Sequence, residues 1–267
     1  MITGASSGIG CATATRLAQC GYRTVLMARR ADRLEALRAT LGQHAPSFAY
    51  PVDLSNPDHL HEVVQRALRD HGVPDVLVSN AGYGLYRPFA EHTAQDHRTL
   101  MEVNYFASVW LISAVLPGMI ERGSGHVIGV ASISTKMGPW GHTGYSAAKC
   151  ALVSMIQTLA AEHTGSGVDF SYINPGVVRT DYFEQPSFST LRDQMRKRWI
   201  EPERIAEGVL SLLKRPRLEL CIPRHYRVLD WLGAISPALL HRLVRSQSRP
   251  KAESRRGPLK RTTPTDT

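Results

Sequence analysis

The sequence predicts an α/β fold in which one doubly wound parallel sheet is covered by helices on both faces. Short apolar segments of strand length alternate with amphipathic helical segments, and glycine-rich or polar turns follow the strands. The chain has 267 residues, which is enough for one such domain with a sizeable core. We therefore expect a single domain over residues 1–222, an amphipathic extension over residues 223–245 and a disordered basic tail over residues 246–267.

Composition narrows the function classes. The net charge is +9, and residues 222–267 hold ten basic and three acidic residues. A basic tail without interleaved aromatic residues is poorly suited to nucleic acid, so no nucleic-acid role is expected. We find no signal peptide and no apolar run close to the ~18–20 residues of a membrane-spanning helix. The four cysteines lack metal-like spacing, so we expect no metal site and reduced thiols in the cytoplasm.

A glycine-rich turn, Thr3–Gly10, opens the chain. Its glycines let the backbone turn tightly and approach a ligand, and a helix expected over residues 9–20 directs free N–H groups at that ligand. These features predict a binding place for the diphosphate of a dinucleotide in a Rossmann-like sheet. The residues expected to line the diphosphate are Gly4, Ser6, Gly8, Ile9 and Gly10.

The strand that should precede this turn is short. Only Met1 and Ile2 remain of it, whereas a full strand has about five residues. We expect that either the start codon is placed too late or the sequence is trimmed, and that the centre of the sheet is weakened.

The end of the second strand indicates which dinucleotide is preferred. The strand is expected over Arg23–Met27, and Ala28 occupies the position where an acidic residue would bind a ribose hydroxyl. Arg29 follows, and its guanidinium can bind a 2′-phosphate, so NADPH is favoured over NADH. The alternative is that Arg29 only begins the next helix. Asp53 follows the third strand, where it can accept from the adenine amino group or cap a turn.

Polar residues also follow the later strands. Asn80 and Gly82 come after a buried strand, and Ser132 follows the strand expected over His126–Ala131. The carboxyl edge of a parallel sheet is where ligands bind. Asn104 lies within a long helical segment, where asparagine is a poor helix former, so its amide is expected to bond backbone groups or a water.

Tyr145 and Lys149 are one helical turn apart in Gly144–Cys150. An ammonium fixed beside a phenol lowers the pKa of the phenol, which makes it usable as a proton donor and acceptor near neutral pH. Such pairs are common on helices without any catalytic role. Ser132 meets them if the glycine-containing loop 134–143 folds back.

Together these segments resemble the short-chain dehydrogenase/reductase family over about residues 1–222, and ketoacyl reductase-like members in particular. The matching segments are Thr3–Gly10, Asn80–Gly82, Asn104, Ser132, Tyr145–Lys149 and Pro175–Thr180. The resemblance implies that Tyr145 is the general acid, that Lys149 lowers its pKa and holds the nicotinamide ribose, that Ser132 binds the substrate oxygen and that Asn104 holds a relay water. It further implies cofactor contacts for Arg29, Asp53, Asn80, Gly82, Pro175, Gly176 and Thr180. A homodimer or homotetramer built on the helices near 94–121 and 145–163 is also implied.

Two regions bear on the substrate. Residues 181–201 are expected to form a mobile substrate loop in which aromatic and aliphatic residues alternate with basic ones. That composition suits a long acyl or terpenoid-like ketone, with or without an anionic carrier, although the aromatics can equally pack on the core. The extension has apolar stripes bordered by arginines, and three interpretations stay open: core or dimer packing, a cap over the cleft, or peripheral membrane contact through residues 224–245.

The sequence thus predicts an NADPH-dependent oxidoreductase that reduces a lipid-like or 3-ketoacyl ketone to a secondary alcohol. One alternative is an NAD-dependent secondary-alcohol or hydroxysteroid dehydrogenase. The alternative from another class is a non-catalytic dinucleotide-sensing protein, although such proteins usually lose the tyrosine or the lysine that this chain retains.

Overall fold

The computed structural model describes residues 1–189, 192 and 199–248 of the chain. Seven parallel strands form one sheet in the order β3-β2-β1-β4-β5-β6-β7. In chain order the strands are β1 Ile2–Thr3, β2 Thr24–Ala28, β3 Ser47–Pro51, β4 Val76–Ser79, β5 Gly125–Val130, β6 Val168–Pro175 and β7 Glu219–Ile222. This sheet, wound in both directions from β1, confirms the predicted fold class.

Helices connect the strands and cover both faces of the sheet. In chain order the α-helices are α1 Gly8–Gln19, α2 Ala31–Leu41, α3 Pro57–His71, α4 Ala94–Met101, α5 Ala107–Arg122, α6 Thr143–Glu162, α7 Pro202–Lys214, α8 Val228–Ile235 and α9 Pro237–Ser248. The apolar residues of α3, α5 and α6 form one core with one face of the sheet. Those of α1, α2 and α7 form a second core on the opposite face.

The central strand β1 has only two residues, as the sequence suggested. It still joins the two halves of the sheet, because Ile2 pairs with Leu26 of β2 and with Val78 of β4. The preceding residue extends this connection: the Val78 amide donates to the Met1 carbonyl at 2.9 Å. Ile2 is buried at the centre of the sheet.

The long helical segment around Asn104 differs from the prediction in two ways. A π-helical turn, Glu102–Phe106, separates α4 from α5 and contains Asn104. In addition, we expected no apolar run of membrane-spanning length, and this expectation is wrong for Ala94–Arg122. By length and composition alone, this segment is long and apolar enough to cross a membrane. This segment is nevertheless packed against α3, α6 and the sheet, as expected for a core helix of a folded domain.

The C-terminal extension forms two helices that begin shortly after β7. A short 3₁₀ turn, Arg224–Arg227, leads into α8, and α8 is separated from α9 at Pro237, where the sequence predicted a break. Helix α9 continues to Ser248, so the predicted boundary at residue 245 is too early. The rest of the predicted tail, residues 249–267, lies outside the described residues, as do most of residues 190–198 of the predicted substrate loop.

Candidate active site

A cleft of about 900 Å³ lies at the carboxyl edge of the sheet. This position follows from the parallel topology, which brings the turns after β1, β2, β4, β5 and β6 to the same edge. Fourteen of the predicted site residues line the cleft: Gly4, Ser6, Gly8, Ile9, Arg29, Asp53, Asn80, Gly82, Ser132, Tyr145, Lys149, Pro175, Gly176 and Thr180. The other two, Gly10 and Asn104, lie directly behind this wall.

The glycine-rich turn is packed so closely that side chains are excluded from it. A Cβ atom at Gly10 would overlap the carbonyl oxygen of Gly4 and approach the Asn80 amide nitrogen within 2.6 Å. Gly4 and Gly8 both have positive φ angles, of 65° and 53°, which L side chains rarely adopt. The turn therefore leaves the amide groups at the start of α1 accessible from the cleft, an arrangement that suits a diphosphate.

Asn80 connects this turn to the end of β4. Its backbone amide and that of Ala81 both donate to the Thr3 hydroxyl at 3.0 Å. The Asn80 side-chain amide donates to the Thr3 carbonyl at 2.9 Å. Asn80 therefore positions the glycine turn in addition to lining the cleft, and buried Thr3 is a positioning residue that motif reasoning did not single out.

Three arginines follow β2, and the structure separates their roles. Arg30 donates to the Ser7 hydroxyl at 2.6 Å and to the Asp181 carboxylate at 3.0 Å. Arg33 binds the same carboxylate at 2.8 Å. Arg29 is exposed at the cleft and forms no ion pair with a described residue, so its guanidinium is the one left available for a further anion.

Arg30 was not predicted as a site residue, although it is adjacent to Arg29 in sequence. Its contacts come from Asp181, which lies on the segment after β6. Burial acts to raise the pKa of the Asp181 carboxyl, but the hydrogen bonds from Arg30 and Arg33 hold that pKa below its usual value. The ionised carboxylate thus fastens the segment after β6 across the glycine-rich turn.

Asp53 lines the cleft, and its contact with adenine stays a prediction. The same carboxylate accepts from the Ser55 amide at 3.0 Å and from the Ser55 hydroxyl at 2.8 Å, so it also caps the turn before α3. Burial acts to raise the pKa of this carboxyl, but the two hydrogen bonds from Ser55, with a smaller contribution from Arg29, hold that pKa below its usual value.

Ser132, Tyr145 and Lys149 meet in the cleft because the loop after β5 folds back as expected. The Ser132 hydroxyl accepts from the Ser134 amide at 3.1 Å, which begins a short 3₁₀ turn at residues 133–135. Lys149 is buried on α6 and donates to the Val130 carbonyl at 2.9 Å. Its ammonium nitrogen lies 5.9 Å from the centroid of the Tyr145 ring.

The protonation behaviour of this pair differs from the sequence expectation. Shielding from water raises the pKa of Tyr145 to about 12, although the neighbouring hydroxyls of Ser132 and Tyr182 oppose the rise. Burial lowers the pKa of Lys149 to about 8. The pKa of the phenol is therefore raised in the protein alone, where the sequence suggested a lowered value, because burial disfavours the phenolate and the ammonium alike. The contribution of Lys149 to the pKa of Tyr145 stays a prediction.

Asn104 is held beside this pair by the π-helical turn. Its side-chain amide donates to the carbonyls of Tyr83 and Leu100 at 2.8 Å, and its amide oxygen accepts from the Tyr83 backbone. The prediction that this amide bonds backbone groups is confirmed. Gly82 leaves space next to it, since a Cβ atom there would lie 3.2 Å from the Asn104 oxygen and 3.6 Å from the Lys149 nitrogen. π-Helical turns of this kind are frequent at functional sites.

The end of the cleft away from the glycine-rich turn is apolar. Its residues come largely from segments for which the sequence predicted a region but no individual site residues. The Tyr182 ring packs against Tyr145 with ring centroids 5.5 Å apart. The Phe188 ring is fully buried against Tyr86, so part of the predicted substrate loop does pack on the core. The remaining apolar lining comes from Met137, Trp140, Phe183, Tyr226, Leu229, Leu240, Leu243 and Val244.

Lys136 fastens the C-terminal extension over this end of the cleft. Its ammonium is largely buried and contacts Glu219 and Asp230 at 2.6 Å each. Glu219 belongs to β7 and Asp230 to α8, so one side chain from the loop after β5 binds both. Lys136 and Asp230 are 94 positions apart, so the sequence did not predict this contact. It supports the interpretation of the extension as a cap over the cleft.

Comparison with known proteins agrees with this geometry. The family model described as short chain dehydrogenase matches residues 1–188. A relative from Drosophila melanogaster, named dehydrogenase/reductase SDR family protein 7-like, is 30% identical and the match covers 83% of this chain. The chain spans 71% of the length of that relative and 64% of the length of several mycobacterial oxidoreductases.

Several solved structures are similar to this chain over most of its length. A short-chain dehydrogenase from Sphingobium yanoikuyae in complex with NADPH has a TM-score of 0.79 and 29% identity, covering 89% of this chain and 93% of that one. A 3-ketoacyl-(acyl-carrier-protein) reductase from Brucella melitensis complexed with NADH has a TM-score of 0.74 and 25% identity, covering 83% and 94%. With its sheet order, its cleft and the family match over most of its length, this chain belongs to the short-chain dehydrogenase/reductase family.

Proposed function

We propose that the protein is an NADPH-dependent reductase that converts a ketone into a secondary alcohol. The observation that carries this proposal is the meeting of Ser132, Tyr145 and Lys149 in the same cleft as the glycine-rich turn. A dinucleotide that lies along the carboxyl edge of the sheet from the turn would bring its nicotinamide to these three side chains. The similarity to reductases that bind NADPH or NADH supports the same arrangement.

The residues present fit NADP(H). The cradle at Gly4, Gly8 and Gly10 would be filled by any Cβ atom, and the start of α1 carries no acidic residue that would repel a diphosphate. Ala28 ends β2 and Arg29 follows it directly, so the position where an acidic side chain would repel a 2′-phosphate holds a guanidinium instead. The alternative NAD-dependent dehydrogenase is disfavoured by this charge pattern.

The proposed chemistry assigns one role to each of the polar side chains near α6. When bound, reduced nicotinamide supplies the hydride that forms the new C–H bond at the carbonyl carbon. The Ser132 hydroxyl donates a hydrogen bond to the carbonyl oxygen and orients it. The Tyr145 hydroxyl transfers its proton to that oxygen, which completes the alcohol. Lys149 and Asn104 return a proton to Tyr145 through water, a role supported by the position of both side chains beside Gly82.

The raised pKa of Tyr145 suits the reductive direction. A phenol whose pKa lies near 12 is fully protonated at neutral pH and is therefore ready to donate. In the oxidative direction the same group must first lose its proton. The positive charge of oxidised nicotinamide favours the phenolate, so cofactor binding is expected to lower this pKa.

The apolar end of the cleft supports a lipid-like or 3-ketoacyl substrate. Its lining includes aromatic rings from the loop after β5 and aliphatic side chains from α8 and α9. A long acyl chain would bury apolar surface there, whereas a small hydrophilic carbonyl compound would leave this wall unused. The alternative from another class, a non-catalytic dinucleotide sensor, does not account for the retained Tyr145 and Lys149.

The proposal also covers assembly and location. Trp110 and Ile120 of α5 present exposed apolar surface on the segment through which the family resemblance implies a homodimer or homotetramer. We place the protein in the cytoplasm, with peripheral membrane contact through the C-terminal extension.

Replacement of the proposed proton donor tests the mechanism. We expect Tyr145→Phe to lower kcat for ketone reduction by about a hundredfold to ten-thousandfold, because the phenyl ring cannot supply a proton. NADPH binding, measured by cofactor fluorescence, should change by less than about threefold, since most cofactor contacts lie elsewhere. Tyr22→Phe, at an exposed tyrosine outside the cleft, serves as the control and should behave as wild type. Full activity in Tyr145→Phe would refute the proposed role.

Titration of the same tyrosine tests the electrostatics of the site. The difference in phenolate absorbance between wild type and Tyr145→Phe should show a midpoint above about pH 10 in the protein alone, because burial raises the pKa. Addition of NADP⁺ should shift this midpoint to lower pH. A midpoint below about pH 9 without cofactor would show that Lys149 dominates over burial.

Arg29→Gln tests the assignment of the 2′-phosphate site. We expect NADPH to bind about tenfold to a hundredfold more weakly, because a hydrogen-bonded charge partner is lost, while NADH binding stays unchanged. Arg38→Gln is the matched control, since Arg38 lies in the last turn of α2 and pairs with Glu35. Equal losses for both cofactors would instead indicate a general effect on folding.

A further inference from the structure

The extension helices α8 and α9 present apolar surface on two opposite sides. On the inner side, Leu240 and Val244 are buried and line the cleft. On the outer side, Val228, Trp231 and Ile235 are 61%, 70% and 80% exposed. Their spacing of three and four residues places them along one face of α8, so they form a continuous stripe rather than scattered exposed residues. We call these three residues the outer stripe.

The outer stripe is held in a fixed position rather than on a loose end of the chain. Lys136 binds Asp230 of α8 at 2.6 Å and so connects the helix to the loop that follows Ser132. Helices α8 and α9 also pack closely on each other, since a Cβ atom at Gly233 would lie 3.2 Å from Leu240. The domain therefore presents Trp231 and Ile235 to the outside on a supported surface.

Positive charge is concentrated on the same extension as the outer stripe. Arg224 and Arg227 precede it and Arg242 and Arg245 lie on α9; all four are exposed, and within the described part of the chain none of them forms an ion pair. Asp230 is the one acidic residue between residues 224 and 248, and its carboxylate is taken by Lys136. A partner that fits the extension therefore offers apolar surface to the outer stripe and negative charge to the four arginines.

We propose that α8 and α9 dock the protein on a membrane surface that contains anionic lipids. Trp is favoured at the boundary between lipid and water, and exposed arginines near it are attracted by anionic headgroups. A second copy of the chain fits this face less well, because a twofold contact would bring the four arginines towards their own copies. Trp231 and Ile235 expose a large apolar area, and contact with a lipid surface would remove that area from water.

Docking would also orient the active site. The inner side of the same two helices lines the apolar end of the cleft, so the membrane would lie next to the entrance used by an apolar substrate. This part of the inference rests on the proposed reductase function, whereas the docking itself does not. A ketone dissolved in the bilayer could then reach Tyr145 without crossing water, which favours lipid carbonyl compounds over soluble ones.

Flotation of the full chain with lipid vesicles tests the docking. We expect wild type to float with vesicles of phosphatidylcholine and phosphatidylglycerol, and at least about tenfold less with phosphatidylcholine alone or in high salt. The double variant Trp231→Ser with Ile235→Ser should lose at least about tenfold in vesicle binding. Phe89→Ser, at a residue that is 66% exposed outside the cleft, is the matched control and should float as wild type.

Three outcomes would overturn the proposal. The first is absence of flotation of wild type with anionic vesicles. The second is undiminished flotation of the double variant, which would assign binding to the basic tail. The third is that wild type does not float and that light scattering shows a smaller oligomer for the double variant than for wild type. This result would identify the face as an interface between copies of the chain. Unchanged thermal unfolding of both variants shows that they fold.

Activity measurements separate the docking from the proposed reaction. The double variant should reduce a water-soluble ketone as wild type does, but lose at least about tenfold in rate on a long-chain ketone presented in anionic vesicles. Equal rates of wild type and double variant on the vesicle-bound ketone would contradict the proposed substrate route. If wild type floats but reduces no ketone, the proposed function fails and the docking stands.

Discussion

The pairing of a two-residue strand with both of its neighbours is the constraint on which the rest of this structure depends. Because Ile2 lies between β2 and β4, the turn after β1 and the turn after β4 begin side by side. The Thr3 hydroxyl accepts from both Asn80 and Ala81 and fixes this contact. Gly10 has no room for a side chain because it packs closely against Gly4 and Asn80. This close packing keeps the start of α1 at the same edge of the sheet. The cofactor end of the cleft is thus a consequence of the sheet order.

Burial is the main influence on the pKa values of both Tyr145 and Lys149 in the protein alone. Lys149 is within 5.9 Å of the Tyr145 ring centroid, yet the pKa of the phenol rises and that of the amine falls. Both groups lose water when the loop after β5 and the segment containing Tyr182 cover them. The protein alone therefore holds a proton on Tyr145, which is the form that reduction of a carbonyl group requires. A cationic cofactor beside Tyr145 is the natural means of reversing this preference.

The fold and most of the site could be predicted because the relevant signals are local. Strand length, helix periodicity and the positions of turns gave the sheet, and Ser132 and Tyr145 could be placed at its edge from the strands before them. Contacts between distant segments could not be predicted in this way. Asp181 pairs with Arg30 across 151 positions, and burial of Tyr145 depends on Tyr182, 37 positions later. The π-helical turn at Asn104 could not be predicted either, because its sequence has no hydrophobic periodicity that distinguishes it from the flanking helices.

The C-terminal extension shows why an apolar stripe in a sequence does not define its own partner. Both sides of α8 are apolar, and only the tertiary position decides that Leu229 faces the cleft while Trp231 faces outwards. The cleft therefore ends in an apolar wall, and the proposed preference for a long-chain ketone depends on that wall. Isotope labelling tests the proposed hydride transfer from NADPH to such a ketone. NADPH deuterated at the transferred position is supplied with ketones of increasing chain length, and the alcohols are analysed by mass spectrometry. We expect deuterium on the carbinol carbon and turnover that rises with chain length; absence of label transfer to every ketone would contradict the proposed reaction.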